Sequence, residues 1–225
     1  METFGQFLKR LEALEWKDVG QFDPDVLTVL AEVGRQPGLV HDAVNSWSAK
    51  GLEKRQLSCH DTATHYKWFL HFHEKQRFKV WLHQYKSASE RRLGHAEVPH
   101  NHRYSLASVI LSGGFVHHYF DRTGGVLKES GSARHSYRAG DAYTIGWEEV
   151  HKLSDIDDRT FTLVVESRPV RHFSEAYYAA SAEPVIFRDF VKLHPQLAAE
   201  MRLIADAGRS IPSDIGLDPP REFWQ

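Results

Sequence analysis

Apolar residues fall at helical spacing near the start of the chain and at alternate positions, in short runs, through its middle. Phe4, Phe7, Leu8, Leu11 and Leu14 line one face of a first helix, and Val26, Leu27, Leu30 and Val33 line a second. Asp23 reads as the N-cap of that second helix, Pro24 as its first residue and Gly34 as its stop. A third segment carries Val40, Val44 and Trp47 and ends near Gly51. From about His65 the runs become aromatic and β-branched, with turn residues between them. HYKWFLHFH and RFKVWLHQY, joined through Glu-Lys-Gln, predict a hairpin; SLASVIL, FVHHYF, DAYTI and TFTLVVES predict further strands. Gly113-Gly114, Gly124-Gly125 and Gly140 divide them. Consecutive strands with no helices between them predict an antiparallel sandwich or barrel. Helical spacing returns after Pro195, at Leu197, Met201, Leu203 and Ile204, and stops at Gly208; the Pro/Gly/Asp-rich remainder predicts an extended tail.

Composition narrows the class of function. In 225 residues, 28 Lys and Arg stand against 30 Asp and Glu, a net charge of −2, so no overall field recruits nucleic acid or an anionic membrane surface. No apolar run approaches the roughly 20 residues of a spanning helix, and METFGQFLKRLEALEW lacks the apolar stretch of a signal peptide. The reading is a soluble protein. Cys59 is the single cysteine, so no internal disulfide forms, and a reducing cytoplasm is the simplest home. Cys59 itself reads as a small, partly buried side chain. Histidine is the exception to an ordinary composition: fifteen residues, which places any metal or proton chemistry on imidazole.

The histidines with a frame lie in Gly94-His-Ala-Glu-Val-Pro-His100-Asn-His102. Two residues apart in a strand, His100 and His102 share one face, as two neighbouring ligands of one metal must. Gly113-Gly114 closes the next strand, and His151 follows Gly140 by eleven residues. On these residues the sequence resembles the cupin superfamily, whose motifs are G-x5-H-x-H-x3,4-E-x6-G and G-x5-P-x-G-x2-H-x3-N. The resemblance spans roughly residues 65 to 170 and implies His100, His102 and His151 as metal ligands inside a double-stranded β-helix (jelly-roll) barrel. With the helical spacing at both ends, about which the resemblance says nothing, the chain divides into an N-terminal helical region packed on the barrel (1–60), a cupin-like barrel (61–172) and a C-terminal helix and tail (173–225).

The departures from the motifs shape the functional reading. The family's glutamate ligand falls at Leu106 or Ala107, neither able to bind metal, and the second motif's proline, glycine and asparagine fall at Gly146, Glu148 and Asp155. A site without the glutamate is similar to the three-histidine cupins, among them thiol dioxygenases distantly related to cysteine dioxygenase. The crosslinking cysteine of their mammalian members aligns with Ala107, and their Ser-His-Tyr relay with Val164 to Arg168, so neither device is present. Three neutral imidazoles leave a divalent ion its full positive charge and open positions, which favours an anionic chelating substrate. The expectation is a mononuclear non-heme Fe(II) oxygenase or dioxygenase joining O2 to a small amino-acid-like or thiol-bearing substrate. Imidazole also suits Zn, Ni, Cu and Mn. A Zn, Mn or Ni cupin isomerase or lyase, or a non-catalytic ligand-binding cupin, is the alternative.

Further candidates surround this core. His117 and His118 are adjacent in one strand, so one faces inward and one outward; His118 is carried as a catalytic candidate with Tyr104 and Tyr143, whose phenols either reach substrate or are core aromatics. Arg103 is a candidate for a substrate carboxylate, with Arg91, Arg92 and Lys152 as surface alternatives. Trp147, Glu148 and Glu149 precede His151 and would line the mouth, Trp147 and Glu149 as substrate contacts. His71 and His73 read as sheet-surface residues, while His41, His60, His65, His172 and His194 have no frame. The partner expected is a small molecule, with a homodimer built on the N-terminal helices as a further option.

Overall fold

The computed structural model describes residues 3–16, 22–36, 38–45, 58–73, 75, 78–92, 96–123, 126–178 and 184–187. Three helices come first, α1 (Phe4–Ala13), α2 (Asp25–Gly34) and α3 (Gly38–Asn45). Thr3 opens α1 with a capping box: its hydroxyl accepts the Gln6 N–H and the Gln6 side chain accepts the Thr3 N–H. Asp23 was expected as the N-cap of α2, but that position belongs to Pro24. Asp23 caps from one residue further out, its carboxylate accepting the Asp25 N–H at 2.9 Å. The first turn of α2 is tightened by three-residue bonds from Val26 to Asp23 and from Leu27 to Pro24. Trp47, Gly51 and the expected C-terminal helix lie outside the described residues.

The strands are β1 (His60–Asp61), β2 (His65–Phe72), β3 (Phe78–Tyr85), β4 (Leu106–Ser112), β5 (Gly114–Thr123), β6 (Val126–Arg138), β7 (Ala142–Ile145), β8 (Val150–Ser154), β9 (Phe161–Ser167), β10 (Ser174–Ala176) and β11 (Val185–Phe187). The protein is thus mainly antiparallel β with few helices. The expected hairpin forms as β2 and β3, in register from His65 opposite Tyr85. Two elements escaped the sequence reading. Strand β6 runs 13 residues, and its Lys, Glu, Ser and Arg positions give no apolar alternation; pairing along nearly all of β5 holds it extended. The β10–β11 hairpin lies where helix and tail were expected, and Ala176 bridges to His100.

Two sheets face each other, one ordered β1-β2-β3-β9-β4-β7 and the other β6-β5-β8. His100 bridges both His151 of β8 and Ala176 of β10, which joins the β10–β11 hairpin to the smaller sheet. The large sheet is buried on both faces, which is why β4 and β9 read as continuous apolar runs. On its outer face Trp68, Leu70, Val80, Leu82, Val109 and Leu163 pack against the three helices. Gly34 permits that closeness, since a Cβ there would come within 2.7 Å of Val109 Cγ2. On the inner face Trp81, Tyr85, Leu106, Ile110 and Val164 meet Phe115 and Leu153 of the smaller sheet. Gly113, at φ +71°, makes the reversal from β4 into β5. No helix among the described residues is long and apolar enough to cross a membrane.

The inner face also carries charge. Lys67 of β2 reaches over the Trp81 ring, 4.7 Å from its centroid, to Glu166 of β9 at 2.8 Å. Burial alone would raise the Glu166 pKa; the Lys67 ammonium and hydrogen bonds from Lys67 and Tyr104 outweigh it and hold the carboxyl below its ordinary value. A depressed folded-state value means that the pair stabilises the fold above the ordinary carboxylate range, and that this stability is lost as pH falls through the depressed value. Removing one member of a buried pair leaves the other charge uncompensated, whereas replacing both does not. Glu166→Gln should therefore cost about 3 kcal/mol in urea unfolding at neutral pH, while Lys67→Met with Glu166→Leu should cost far less. Equal losses in both variants would show that the charge pairing is not what matters there.

Candidate metal centre

Backbone pairing assembles the centre. His100 and His151 exchange both main-chain hydrogen bonds, N–H to carbonyl at 2.8 Å in each direction. They are directly opposed antiparallel residues, so their side chains leave the same face. His102, two residues beyond His100, returns to that face. The described residues contain one group of three or more potential metal ligands, His100, His102 and His151, with ligand nitrogens all within 4.8 Å of one another. No carboxylate joins them among the described residues.

Hydrogen bonds aim the rings. His100 Nδ1 lies 2.9 Å from the Val98 carbonyl, which leaves Nε2 to face the cluster. His151 Nδ1 lies 2.9 Å from His117 Nε2, and its own Nε2 is 2.9 Å from His102 Nε2. Nitrogens bound at about 2.0–2.1 Å to one ion in neighbouring octahedral positions sit about 3 Å apart, so the His102–His151 spacing fits a shared metal. Burial pushes the His100 pKa down to about 4, against the pull of its bond to Val98. The imidazole is thus neutral, as a ligand must be. The segment bearing His100 and His102 is clamped from outside: Asn101 donates to Glu175 at 2.6 Å, and Arg171 bonds Glu175, Asn101 and the His102 carbonyl.

The three histidines line a cavity of about 90 Å³ shared with Arg103, Tyr104 and Tyr143. Tyr104 stacks on His102 at 5.5 Å, and Tyr143 lies edge-on to His117 at 5.0 Å. Burial, and for Tyr104 also the Glu166 charge, raises both phenols well above their ordinary pKa, so they stay protonated. Arg103 Nε is buried without a hydrogen-bond partner among the described residues.

Other candidates lie elsewhere. His118 was carried as catalytic, but strand alternation sends His117 inward and His118 to the opposite face. There His118 meets Glu129 at 2.5 Å and Ser154 at 2.7 Å. Trp147 does not line the cavity; its ring lies against the Arg171 guanidinium at 5.4 Å, and its backbone N–H donates to the Ser105 hydroxyl. Glu149 is exposed and bonds the Gly146 N–H, closing the turn before β8 instead of reaching a substrate. Arg91, Arg92 and Lys152 border a separate surface groove. His71 and His73 sit beside Phe78, away from the cluster. His65 and His83, in contrast, line the cavity, although His65 had no frame and His83 attracted no notice. The alternation Trp81, His83, Tyr85 in one strand was the available signal.

No protein-family model matches the sequence, and no curated protein matches it. Several solved structures share part of its fold. The chain is similar to ectoine synthase from P. lautus at 16% identity over 55% of this chain and 79% of that one, with a TM-score of 0.37. It is similar to the Lactobacillus farciminis oxalate decarboxylase formate complex at 14% identity, over 71% and 42% of the two chains, TM-score 0.38. For the recombinant pro-11S globulin of pumpkin the values are 13%, 51% and 28%, TM-score 0.36. The chain thus spans less than half of the decarboxylase and globulin chains.

His117 holds the distal nitrogen of His151, the arrangement by which a neighbouring group fixes a ligand's tautomer and ring orientation. His117→Ala should leave the fold intact and weaken metal affinity by about 10- to 100-fold, measured by competition with a chromogenic chelator. Unchanged affinity would mean that the backbone alone aims His151.

Proposed function

We propose that the protein is a mononuclear metal-dependent oxygenase that acts on a small chelating substrate, with His100, His102 and His151 as ligands. The observation that carries this reading is the convergence of three imidazoles, those of His100 and His151 buried and that of His102 half-buried, with no carboxylate among them, at the wall of a small cavity. A redox-active ion such as Fe(II), when bound, would supply the electrons for O2 activation beside a chelated substrate; neutral ligands leave it the charge that attracts an anionic one.

The surrounding residues bind and orient. Arg103, with an unpartnered buried nitrogen at the cavity, suits the carboxylate of an amino-acid-like substrate through paired N–H donors. Tyr143, held protonated, serves as a hydrogen-bond donor to substrate oxygen rather than as a base, while the Tyr104 hydroxyl donates to Glu166 and its ring, stacked on His102, walls the site. His117 positions His151. The cavity of about 90 Å³ suits a small substrate.

The test is anaerobic reconstitution with Fe(II), then oxygen-uptake assays on small chelating metabolites that include thiol-bearing and amino-acid-like members. Wild type should bind one equivalent of iron and consume oxygen with one of them. His100→Ala, His102→Ala and His151→Ala should each lose stoichiometric metal, while His71→Ala and His73→Ala keep it. Metal retained in the first three variants would overturn the site; turnover that persists without oxygen would overturn the oxygenase in favour of isomerase or lyase chemistry.

A further inference from the structure

The inner face of the large sheet contributes polar residues to the cavity whose side chains find no hydrogen-bond partner among the described residues. His83 and Thr162 both line it, and His83 Nε2 and Thr162 Oγ1 are buried with no hydrogen-bond partner among the described residues. They belong to adjacent strands and are direct cross-strand partners in the β3–β9 register, so their Cβ atoms lie about 5 Å apart on one face. His83 is 9% exposed and Thr162 1%. A buried hydrogen-bonding group left unmade costs about 1–3 kcal/mol, and two side by side mark a place where something binds.

The His83 ring is held without using its free nitrogen. It packs on His65 at 4.6 Å between centroids, and His65 is fixed in turn by the Thr64 hydroxyl, 2.8 Å from its Nδ1. Apart from Arg103, assigned above to a substrate carboxylate, the described residues around the pair carry no spare charge. Lys67, opposite His83 in the β2–β3 register, is neutralised by Glu166. Burial first, then His65, Lys67, His102 and His60, keeps the His83 imidazole itself neutral. An ionic group would find no counter-charge there, whereas an oxygen that both donates and accepts, or accepts twice, satisfies both atoms.

Taking the histidine cluster as a metal site, we propose that His83 and Thr162 form a neutral hydrogen-bonding subsite that receives a hydroxyl or carbonyl oxygen of the substrate, remote from its metal-chelating head. The substrate class is accordingly a small bifunctional molecule, chelating at one end and bearing an uncharged oxygen function at the other. A purely apolar tail leaves two buried groups unpaired and is rejected for that reason.

Two measurements test this. The first needs no metal: in the metal-free protein Thr162→Val and His83→Phe should leave the melting temperature unchanged or raise it, because each replaces an unpartnered polar group by an apolar one of similar shape. A clear fall in both variants would assign the pair a structural role and overturn the subsite. The second uses Co(II)-loaded protein and two isosteric pairs of hydroxamates, read through the cobalt absorption bands. These are butanohydroxamate against 3-hydroxypropanohydroxamate, and pentanohydroxamate against 4-hydroxybutanohydroxamate. Wild type should bind at least one hydroxylated member tenfold or more tightly than its partner, and both variants should lose that preference while still binding one cobalt per chain. No preference in wild type, or a preference that survives both substitutions, overturns the proposal. Failure of wild type to bind cobalt would instead overturn the metal reading, with the melting measurement still deciding what the two residues do.

Discussion

The reciprocal main-chain pairing of His100 with His151 is the contact on which the rest of the centre depends. Two hydrogen bonds of 2.8 Å set residues 51 positions apart directly opposite each other, and the register leaves their side chains no choice but to share a face. A slip of one residue would send one imidazole to the other side of the sheet. The pairing is braced from both flanks, by β5 alongside β8 and by Ala176 and Glu175 alongside the segment bearing His100. Arg171, Asn101 and Glu175 then tie that segment to β10 by side-chain bonds.

The large sheet plays two roles because it is buried twice. Its outer face spends apolar residues on the helices, a conventional core that stabilises the fold. Its inner face mixes aromatic residues with His65, Lys67, His83, Thr162 and Glu166, a costly composition for a core. Lys67 and Glu166 offset their burial by pairing. His83 and Thr162 do not, and the contrast separates the part of the cavity that completes itself from the part shaped for a ligand.

Much of this was legible in the sequence where periodicity and motif agreed. The paired strands at 65–85, the helices before them and the closeness of His100 to His102 follow from the two periods alone. That His151 joins them came from resemblance to the cupin motifs, since the register that brings it there is a tertiary fact. The choice between His117 and His118 turned on a strand phase that the neighbouring residues, polar and aromatic on both sides, left open. Strand β6 was invisible for the same reason: its residues carry no apolar alternation, and its conformation is imposed by β5. Trp147 and Glu149 were placed near the site by sequence proximity to His151, but the turn at Gly146 directs them to Arg171 and to the backbone. His83 was overlooked because a lone histidine in an apolar strand looks like any other buried residue until the facing wall is known.

The central claim is that three imidazoles and no carboxylate hold one metal ion. X-ray absorption of the protein loaded with one equivalent of Zn(II) tests it most directly. The account predicts a first shell with three imidazole nitrogens at about 2.0–2.1 Å, falling to two or fewer in His151→Ala. A shell with fewer than three imidazoles in wild type, or one unchanged by His151→Ala, would contradict it.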